Sequence, residues 1–227
     1  MTLKEQAAIA AADLVESGMK LGLGTGSTAV LIVRELGRRL RDGRLRDLSG
    51  VPTSEATAKV AREENIPLFE LEETTRLDLA LDGADEVDPE WQLIKGAGGS
   101  LLREKIVAQA ATLFAVVVDE SKLVDRLGSR MPLPLEVVPF GWASQLAPLR
   151  AQGGEPTLRL ANGSPFLTDE GNYTLDVRFT GDRIARDPHG LARELRARAG
   201  VVETGLFLDL TSILVVGSSR GVETRKR

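Results

Sequence analysis

The chain has 227 residues, a length that permits one large α/β domain or two smaller domains. Of these residues, 42% are hydrophobic, 27% charged and 4% aromatic, a composition typical of an ordinary globular protein. It contains no cysteine and one histidine, His189, which excludes disulfides, thiol nucleophiles, cysteine-ligated zinc and three-histidine metal sites. Because the chain has no cysteine and a single histidine, any catalysis must use carboxylates, lysines, hydroxyls and backbone amides. The net charge of −4 argues against nucleic acid as the main partner.

The two ends of the chain carry no targeting or binding segment that the sequence reveals. Residues 1–5 lack the apolar stretch of a signal peptide, and no apolar run approaches the roughly 18–20 residues of a membrane span. Residues 225–227 are basic but too few for a nucleic-acid-binding arm, and we interpret them as a solvated terminus. We therefore expect a cytoplasmic protein that binds neither membranes nor nucleic acid.

The first half of the chain alternates predicted strands and helices. Thr2 and Glu5 have the spacing of a capping box and open a helix that we expect Gly18 to end. Further predicted elements are a strand at 19–22, a helix reaching 41, a helix at 54–65, strands at 66–69 and 77–81, a helix from 96–100 through 112 and a strand at 114–118. This alternation predicts a parallel sheet covered on both faces.

The pattern changes after Lys122, where prolines become frequent. The predicted elements are strands at 135–138, 157–160, 165–168, 173–179 and 201–207, helices at 142–152 and 190–199, and a last strand at 212–216. A strand–helix–strand–strand–helix–strand order indicates a small α+β module. We thus predict an α/β fold: a discontinuous Rossmann-like domain (1–128 and 208–227) with an inserted ferredoxin-like α+β domain (129–207).

A glycine-rich segment lies between the first predicted strand and the following helix. Gly22, Gly24 and Gly26 let backbone N–H groups approach an anion, while Ser27 and Thr28 add hydroxyl donors at the helix N-terminus. The dinucleotide fingerprint fails because Ser27 stands at its last glycine position, and the P-loop fails for want of a lysine. The segment predicts a phosphate or sugar-phosphate cradle; the alternative is a tight turn capped by Ser27.

Four carboxylates follow the predicted strand at 77–81, namely Asp82, Asp85, Glu86 and Asp88. Ligands of open parallel sheets bind at this end of the strands, and crowded carboxylates favour retention of a proton on one of them. The group is therefore suited to moving protons on sugar hydroxyls. A Mg²⁺ site is an alternative, although the spacing misses the EF-hand loop, and a solvated acidic turn suits Glu86 and Asp88 better than Asp82 and Asp85.

Lys95 precedes a run of small residues, 96–100, at the start of a predicted helix. Their backbone N–H groups, next to a lysine, are suited to stabilising an oxyanion or an enediolate. Glu104 follows in the first turn and projects away from the expected buried stripe of Leu102, Ile106 and Ala110. A carboxylate base beside a lysine and an anion pocket suits proton abstraction next to a carbonyl, whereas helical geometry alone equally allows an exposed carboxylate.

Three further features have plain alternatives. Lys122 follows the strand at 114–118 and is suited to neutralising a phosphate, or else is a surface lysine in a loop. We interpret His189 as a capping or surface residue. The arginines at 193, 196 and 198 are interpreted as a solvated helix face.

Taken in order, these segments resemble ribose-5-phosphate isomerase of the A type. The resemblance rests on GLGTGST at 22–28, DGAD at 82–85, KGAGG at 95–99, LREK at 102–105, DESK at 119–122, LEVVP at 135–139 and ETGLF at 203–207. It covers essentially the whole chain, with Ala97 and the tail beyond Val216 as variation. Each segment alone is weak, but their order and spacing together are specific.

The resemblance implies interconversion of D-ribose 5-phosphate and D-ribulose 5-phosphate in the non-oxidative pentose phosphate pathway. It implies no metal, no organic cofactor, and a homodimer or homotetramer. Glu104 matches the family's proton acceptor. The implied substrate-binding residues are Thr25, Gly26, Ser27, Thr28, Asp82, Gly83, Ala84, Asp85, Lys95, Gly96, Ala97, Gly98 and Lys122.

A mechanism follows as a hypothesis, with rivals left open. Asp82 or Asp85 would assist ring opening, and Glu104 would move the proton between C2 and C1. Lys95 and the neighbouring amides would stabilise the enediolate, and Lys4 and Lys122 would help to hold the phosphate. Rival functions are an amino-sugar phosphate deaminase or acyl-CoA transferase on a similar scaffold, a sugar-phosphate sensor without turnover, and a metal-dependent phosphotransferase.

Overall fold

Seven α-helices are present in the computed structural model, which describes residues 1–227. They are α1 (Leu3–Ala12), α2 (Ser27–Arg41), α3 (Glu55–Glu63), α4 (Leu101–Ala110), α5 (Leu146–Ala151), α6 (Arg183–Arg186) and α7 (Pro188–Arg196). Two 3₁₀ helices span Glu120–Lys122 and Trp142–Gln145. None of the helices has both the length and the apolar character required to span a bilayer.

The strands are short and numerous. They are β1 (Lys20–Leu23), β2 (Ser49–Pro52), β3 (Leu77–Asp82), β4 (Glu86–Val87), β5 (Leu93–Ile94), β6 (Ala111–Asp119), β7 (Leu133–Val137), β8 (Gly154–Leu158), β9 (Leu160–Ala161), β10 (Ser164–Pro165), β11 (Tyr173–Phe179), β12 (Val201–Thr204), β13 (Leu206–Phe207), β14 (Ile213–Ser218) and β15 (Gly221–Lys226).

The chain divides into two compact units, each built from separate stretches of sequence. The first contains Met1–Ala84, Arg103–Lys122 and Leu210–Arg227, and the second contains Asp85–Leu102 and Leu123–Asp209. These divisions differ from the expected boundaries at 128/129 and 207/208, because β4 and β5 pair with β13 and so place 85–102 in the second unit. The assignment of these units as a discontinuous domain and an inserted domain stays a prediction.

A six-stranded sheet in the order β15-β14-β6-β3-β1-β2 organises the first unit. All of its strands are parallel except β15, which pairs antiparallel with β14. The apolar residues of β1, β3, β6 and β14 pack with the alanine face of α1 and with α2 in one core. Because β1 has β2 on one side and β3 on the other, the strand order reverses between β1 and β3, the position at which open α/β sheets bind ligands.

The second unit has an antiparallel sheet in the order β12-β7-β11-β8. In chain order these strands and their helices run β7-α5-β8-β11-α7-β12, with the β9–β10 hairpin inserted before β11. This order matches the predicted strand–helix–strand–strand–helix–strand module. A second, three-stranded antiparallel sheet, β13-β5-β4, belongs to the same unit.

Several element boundaries differ from the sequence predictions. The capping box of Thr2 and Glu5 is present, but α1 ends at Ala12 rather than near Gly18, because the following N–H groups of Leu14 and Val15 bond three residues back. Segment 66–69 is not a strand, since only Leu68 bridges to Gly50.

Four strands, β2, β4, β5 and β15, were not predicted. The strands β4 and β5 have two residues each, too few to show a periodic pattern, and the composition of β2 and β15 explains why those two were missed. The strand β2 contains a glycine and a proline, residues that disfavour strands. The strand β15 is polar and exposed along its whole length. It also contains Arg225 and Lys226, so these basic residues are exposed to solvent, as predicted, and lie on an edge strand.

Candidate active site

The segment after β1 is fixed in place by the residue that ends β3. The Thr25 N–H donates to Asp82 Oδ1 over 3.0 Å, and the Gly83 N–H donates to the same oxygen over 2.7 Å. Asp82 is only 3% exposed, and a Cβ added at Gly24 would overlap its carboxyl group. A glycine is therefore required where the β1 segment passes Asp82, which explains the sequence pattern physically.

A cluster of hydroxyl groups supports Thr25 from the other side. Thr25 Oγ1 lies 2.7 Å from Thr53 Oγ1 and donates to Ser54 Oγ over 2.8 Å. Thr57 Oγ1 donates to the Gly24 carbonyl over 2.8 Å. Thr53, Ser54 and Thr57 were not among the predicted site residues. The local signal that pointed to part of this group is Ser54, a serine at the start of the predicted helix 54–65, where it caps α3.

The N-terminus of α2 has the features of an anion site. Gly26 is its N-cap, with φ of 103° and ψ of 179°, a backbone conformation that is essentially restricted to glycine. No side chain caps this end of the helix. Lys4 Nζ donates to Ser27 Oγ over 3.2 Å, so an ammonium group lies beside the first helical residue. A helix N-terminus and a lysine together favour a bound phosphate.

Lys122 ends the 3₁₀ helix that follows β6, next to Asp119. Burial opposes ionisation of Asp119, but hydrogen bonds from the side chain and backbone of Ser121 and the positive charges of Lys4 and Lys122 together lower its pKa below the ordinary value. Both lysines therefore act on one carboxylate at the carboxyl end of β6. In the first unit, the structure thus brings together Thr25–Thr28, Asp82, Gly83, Lys4 and Lys122.

Glu104 is buried, which corrects the alternative of an exposed carboxylate. It is 5% exposed, and its neighbour Lys105 is 6% exposed. The expected stripe of Leu102, Ile106 and Ala110 is wrong, since Ile106 is 48% exposed and the other two are half-buried. The buried face of α4 instead consists of Leu101, Glu104, Lys105, Val107 and Ala108.

The helix that carries Glu104 is held against the parallel sheet. A Cβ added at Gly22 would meet Val107 of α4 and Ala80 of β3, so the glycine in β1 allows α4 to approach closely. Arg103 Nη1 also pairs with Glu55 Oε1 of α3 over 3.0 Å. Contacts of the residues on either side of Glu104, Arg103 and Val107, therefore fix where α4 places the Glu104 side chain.

In the second unit, a hairpin of two short strands, β4 and β5, has Asp85 immediately before its first strand and Lys95 immediately after its second. Glu86 pairs with Ile94 between β4 and β5, and the Asp85 N–H donates to the Ile94 carbonyl over 2.9 Å. The Lys95 N–H donates to the Gly205 carbonyl over 2.9 Å. Lys95 is 3% exposed, with Nζ 5.4 Å from the centre of the Phe207 ring.

The small residues after Lys95 form a turn in which two of the four amides are already engaged. The Ala97 N–H donates to Asp85 Oδ2 over 2.9 Å, and the Gly99 N–H donates to the Gly96 carbonyl over 3.0 Å. Ala97 and Gly98 are exposed, whereas Gly96 and Gly99 are buried. The amide of Gly98 is therefore the accessible donor in this turn.

The solvated-turn interpretation predicts that Glu86 and Asp88 are both exposed to solvent. In the structure, Glu86 is buried and Asp88 is half-buried. Glu86 is fully buried, and its carboxyl group accepts the backbone N–H groups of Gly128, Arg130 and Met131 over 2.5–2.7 Å. The solvated-turn interpretation of Glu86 is therefore wrong. This carboxylate instead accepts hydrogen bonds from the backbone of the segment before β7 and stabilises that segment. His189 is half-exposed and lies 3.3 Å from Asp209, as expected for a surface residue.

Comparison with known proteins decides the family. The profile of ribose 5-phosphate isomerase A (phosphoriboisomerase A) matches residues 49–221. Ribose-5-phosphate isomerase A of Roseiflexus castenholzii is 53% identical over 220 residues, covering 96% of this chain and 93% of the relative. That of Chloroflexus aurantiacus is 52% identical over 223 residues, covering 98% and 92%. The chain belongs to the ribose 5-phosphate isomerase A family.

Solved structures agree with this family assignment. A D-ribose-5-phosphate isomerase in complex with phospho-erythronic acid has a TM-score of 0.94 at 40% identity, covering 99% of this chain and 98% of that one. Ribose 5-phosphate isomerase A of Methanocaldococcus jannaschii has a TM-score of 0.92 at 43% identity, with the same coverage. The predicted α/β fold and the predicted aldose–ketose isomerase of the ribose 5-phosphate isomerase A family are both confirmed.

Proposed function

We propose that this chain interconverts D-ribose 5-phosphate and D-ribulose 5-phosphate through an enediolate, with Glu104 as the base. Family membership supports the reaction, and the observation that carries the assignment of the base is the burial of Glu104 on α4. A carboxylate shielded from bulk water takes a proton from carbon without competition from solvent. The same carboxyl group removes the C2 proton of the aldose and returns it to C1.

The phosphate group lies at the N-terminus of α2 in this proposal. Thr25, Gly26, Ser27 and Thr28 supply backbone amides and hydroxyl groups, and the helix dipole favours the negative charge. Lys4 beside Ser27 supports the assignment, since it adds positive charge there. Lys122 is the second ammonium group, and its charge reaches the same carboxylate, Asp119, as that of Lys4.

Asp82 and Asp85 handle the O1 and O4 protons while the furanose ring opens. They belong to the tetrapeptide 82–85, in which Gly83 and Ala84 allow the sugar to approach the backbone. The Oδ1 atom of Asp82 already accepts two backbone N–H groups, and the Oδ2 atom of Asp85 accepts one. Each carboxyl group is therefore held in a fixed orientation for proton transfer.

In the segment 95–98, Lys95 and the amide of Gly98 stabilise the negative charge of the enediolate. The burial of Lys95 supports this role, because an ammonium group acts more strongly on a nearby anion when water is excluded. The exposed Gly98 amide is the donor that we assign to the enediolate oxygen.

The test of the base is the variant Glu104→Gln, which keeps the size of the side chain and removes its basicity. We expect kcat to fall by about 10²–10⁴-fold with a nearly unchanged melting temperature, since general bases contribute factors of this size. Exchange of the C2 proton of ribose 5-phosphate with D₂O should slow in parallel. The control is Glu63→Gln, an exposed glutamate of α3, which should keep wild-type kcat. Wild-type kcat in Glu104→Gln would remove Glu104 from this role.

We further propose that catalysis needs neither a metal nor an organic cofactor. A carboxylate base, an ammonium group and backbone amides supply proton transfer and charge stabilisation by themselves. Activity should therefore survive exhaustive treatment with EDTA. A loss of activity that Mg²⁺ alone restores would overturn this part of the proposal.

The remaining expectations concern the cell and the assembly. We propose that the enzyme acts in the cytoplasm, in the non-oxidative branch of the pentose phosphate pathway, as a homodimer or homotetramer. The pathway follows from the two pentose phosphates, while cytoplasmic location and assembly stay predictions from the sequence.

A further inference from the structure

The side chain of Arg159 forms hydrogen bonds with the turn that follows Lys95. Its Nη1 donates to the carbonyl oxygens of Gly96 and Ala97 over 2.9 Å and 3.0 Å. The rest of the guanidinium group forms a bidentate salt bridge with Asp176, in which Nε donates to Oδ2 over 2.9 Å and Nη2 donates to Oδ1 over 2.5 Å. One planar group thus joins the turn to β11, and such charge-assisted forked bonds are both strong and directional.

The surroundings of Arg159 leave its guanidinium group little freedom. The side chains of Arg159 and Asp176 are 16% and 24% exposed. The guanidinium carbon lies 5.8 Å from the centre of the Phe166 ring, and a Cβ added at Gly99 would overlap that ring. The Arg159 N–H donates to the Thr174 carbonyl over 2.9 Å. Arg159 is therefore a fixed support for the turn.

This support sets the direction of the amides in the turn. A trans peptide group is planar, so its C=O and N–H point in opposite directions. Because Arg159 binds the Ala97 carbonyl, the Gly98 N–H of the same peptide group points away from the guanidinium group. The positive charge on the carbonyl side also polarises the peptide and strengthens the N–H as a donor.

We infer that Arg159 is a positioning residue for the isomerisation, which fixes and polarises the Gly98 amide for the enediolate oxygen. The inference rests on the role proposed above for residues 95–98. The enediolate charge develops only on the way to the transition state, so a well-aligned donor lowers the barrier more than it tightens substrate binding. Loss of Arg159 therefore lowers kcat while leaving KM for ribose 5-phosphate nearly unchanged.

Two substitutions test the inference. In Arg159→Met, kcat should fall by about 10²-fold, the lower end of the effect of losing an oxyanion donor. Arg159→Lys keeps the charge but cannot bind Asp176 and both carbonyl groups at once, so it should recover only part of the lost kcat. Arg183→Met is the control, because Arg183 is another ion-paired arginine of the same unit, bound to Glu194 over 2.5 Å, and should keep wild-type kcat.

Binding of phospho-erythronic acid separates positioning from loss of folded protein. Its carboxylate carries negative charge where the enediolate oxygens develop theirs. Titration by calorimetry counts the folded sites, and kcat is expressed per site. For Arg159→Met, we expect the same number of binding sites per chain as in the wild type. We also expect the Kd for phospho-erythronic acid to rise by a factor at least about 10 times larger than the factor by which KM for ribose 5-phosphate rises.

The variant Lys95→Met distinguishes failure of this inference from failure of the proposed site. If Arg159→Met keeps wild-type kcat per site while Lys95→Met loses it, Arg159 does not position the turn and the inference is overturned. If both variants keep wild-type kcat, the role of residues 95–98 is itself wrong. A fall in kcat explained wholly by fewer binding sites would reduce Arg159 to a structural residue and would also overturn the inference.

Discussion

Glu136 is a buried carboxyl group that the proposed reaction does not use. It lies on β7 and is 1% exposed, and its Oε1 accepts hydrogen bonds from Thr168 Oγ1 and Asn172 Nδ2, each over 2.9 Å. Burial raises the pKa of Glu136 above its ordinary value of 4.5, despite the opposing hydrogen bonds from Asn172 and Thr168. Folding therefore favours the protonated form of this group.

This pKa has a consequence for stability against pH. A raised pKa in the folded state stabilises the protein fully below pH 4.5, and that contribution is lost as pH rises through the folded-state pKa. In Glu136→Gln the side chain cannot ionise. We therefore expect the free energy of unfolding of Glu136→Gln, relative to the wild type, to increase as pH rises from 4.5 to 8, by about 1.4 kcal/mol for each unit by which folding raises the pKa.

Urea unfolding at a series of pH values measures this difference. Glu155→Gln is the matched control, because Glu155 is exposed on β8 and loses the same charge without the effect of burial. A difference between Glu136→Gln and the wild type that stays constant across the pH range would contradict the expectation.

The burial of individual polar residues cannot be predicted from the spacing of apolar residues alone. The spacing of apolar residues on α4 placed Leu102 and Ile106 inside, yet the buried face contains Glu104 and Lys105. Helix periodicity assumes that apolar residues face the core, and functional residues break this rule. The neighbouring lysine and run of small residues made Glu104 a candidate base, and the resemblance to a known family matched it to the proton acceptor, whereas the periodicity did neither.

At the scale of elements, β15 protects an otherwise open sheet edge. It pairs along all of β14, from Ile213 opposite Lys226 to Ser218 opposite Gly221. The strand β14 is almost entirely apolar and buried, whereas β15 is exposed and carries an ion pair between Glu223 and Arg225 at 2.7 Å. Charged residues on an edge strand oppose pairing with further chains.

Deleting residues 220–227 should therefore cause aggregation. Without β15, the backbone N–H and C=O groups of β14 on that side lose their hydrogen-bond partners. The sheet then ends in an open edge formed by an apolar strand. We expect a lower melting temperature and a rise in light scattering with protein concentration. A second variant, Arg225→Thr with Lys226→Thr, keeps the strand and removes two charges, so it should aggregate less than the deletion. A deleted chain with the assembly state and solubility of the full chain would contradict this role.

The elements that sequence analysis found are those whose local signals agree with the final structure. Thr2 and Glu5 form the predicted capping box, and Ser54 caps α3. The strands β2 and β15 were missed because one contains Gly50 and Pro52 and the other is polar, so that pairing with a neighbouring strand, and not composition, makes them strands.

For the whole molecule, the order of elements was enough to predict the fold class. Alternating strands and helices predicted the parallel sheet, and the later order predicted the antiparallel module. The hydroxyl cluster around Thr25 and the grip of Arg159 on the turn at 96–97 were not predictable in this way. Both depend on residues that are distant in sequence and that only tertiary packing brings together.

The pairing of β14 with β6 determines when the first sheet can be completed during synthesis. Ile213 pairs with Ala115, and the residues between them include all of the sheet β12-β7-β11-β8. On the ribosome, that antiparallel sheet can therefore form while one side of β6 still lacks its partner. The nascent chain exposes this apolar edge until β14 emerges, which makes that stage of translation its period of greatest dependence on chaperones.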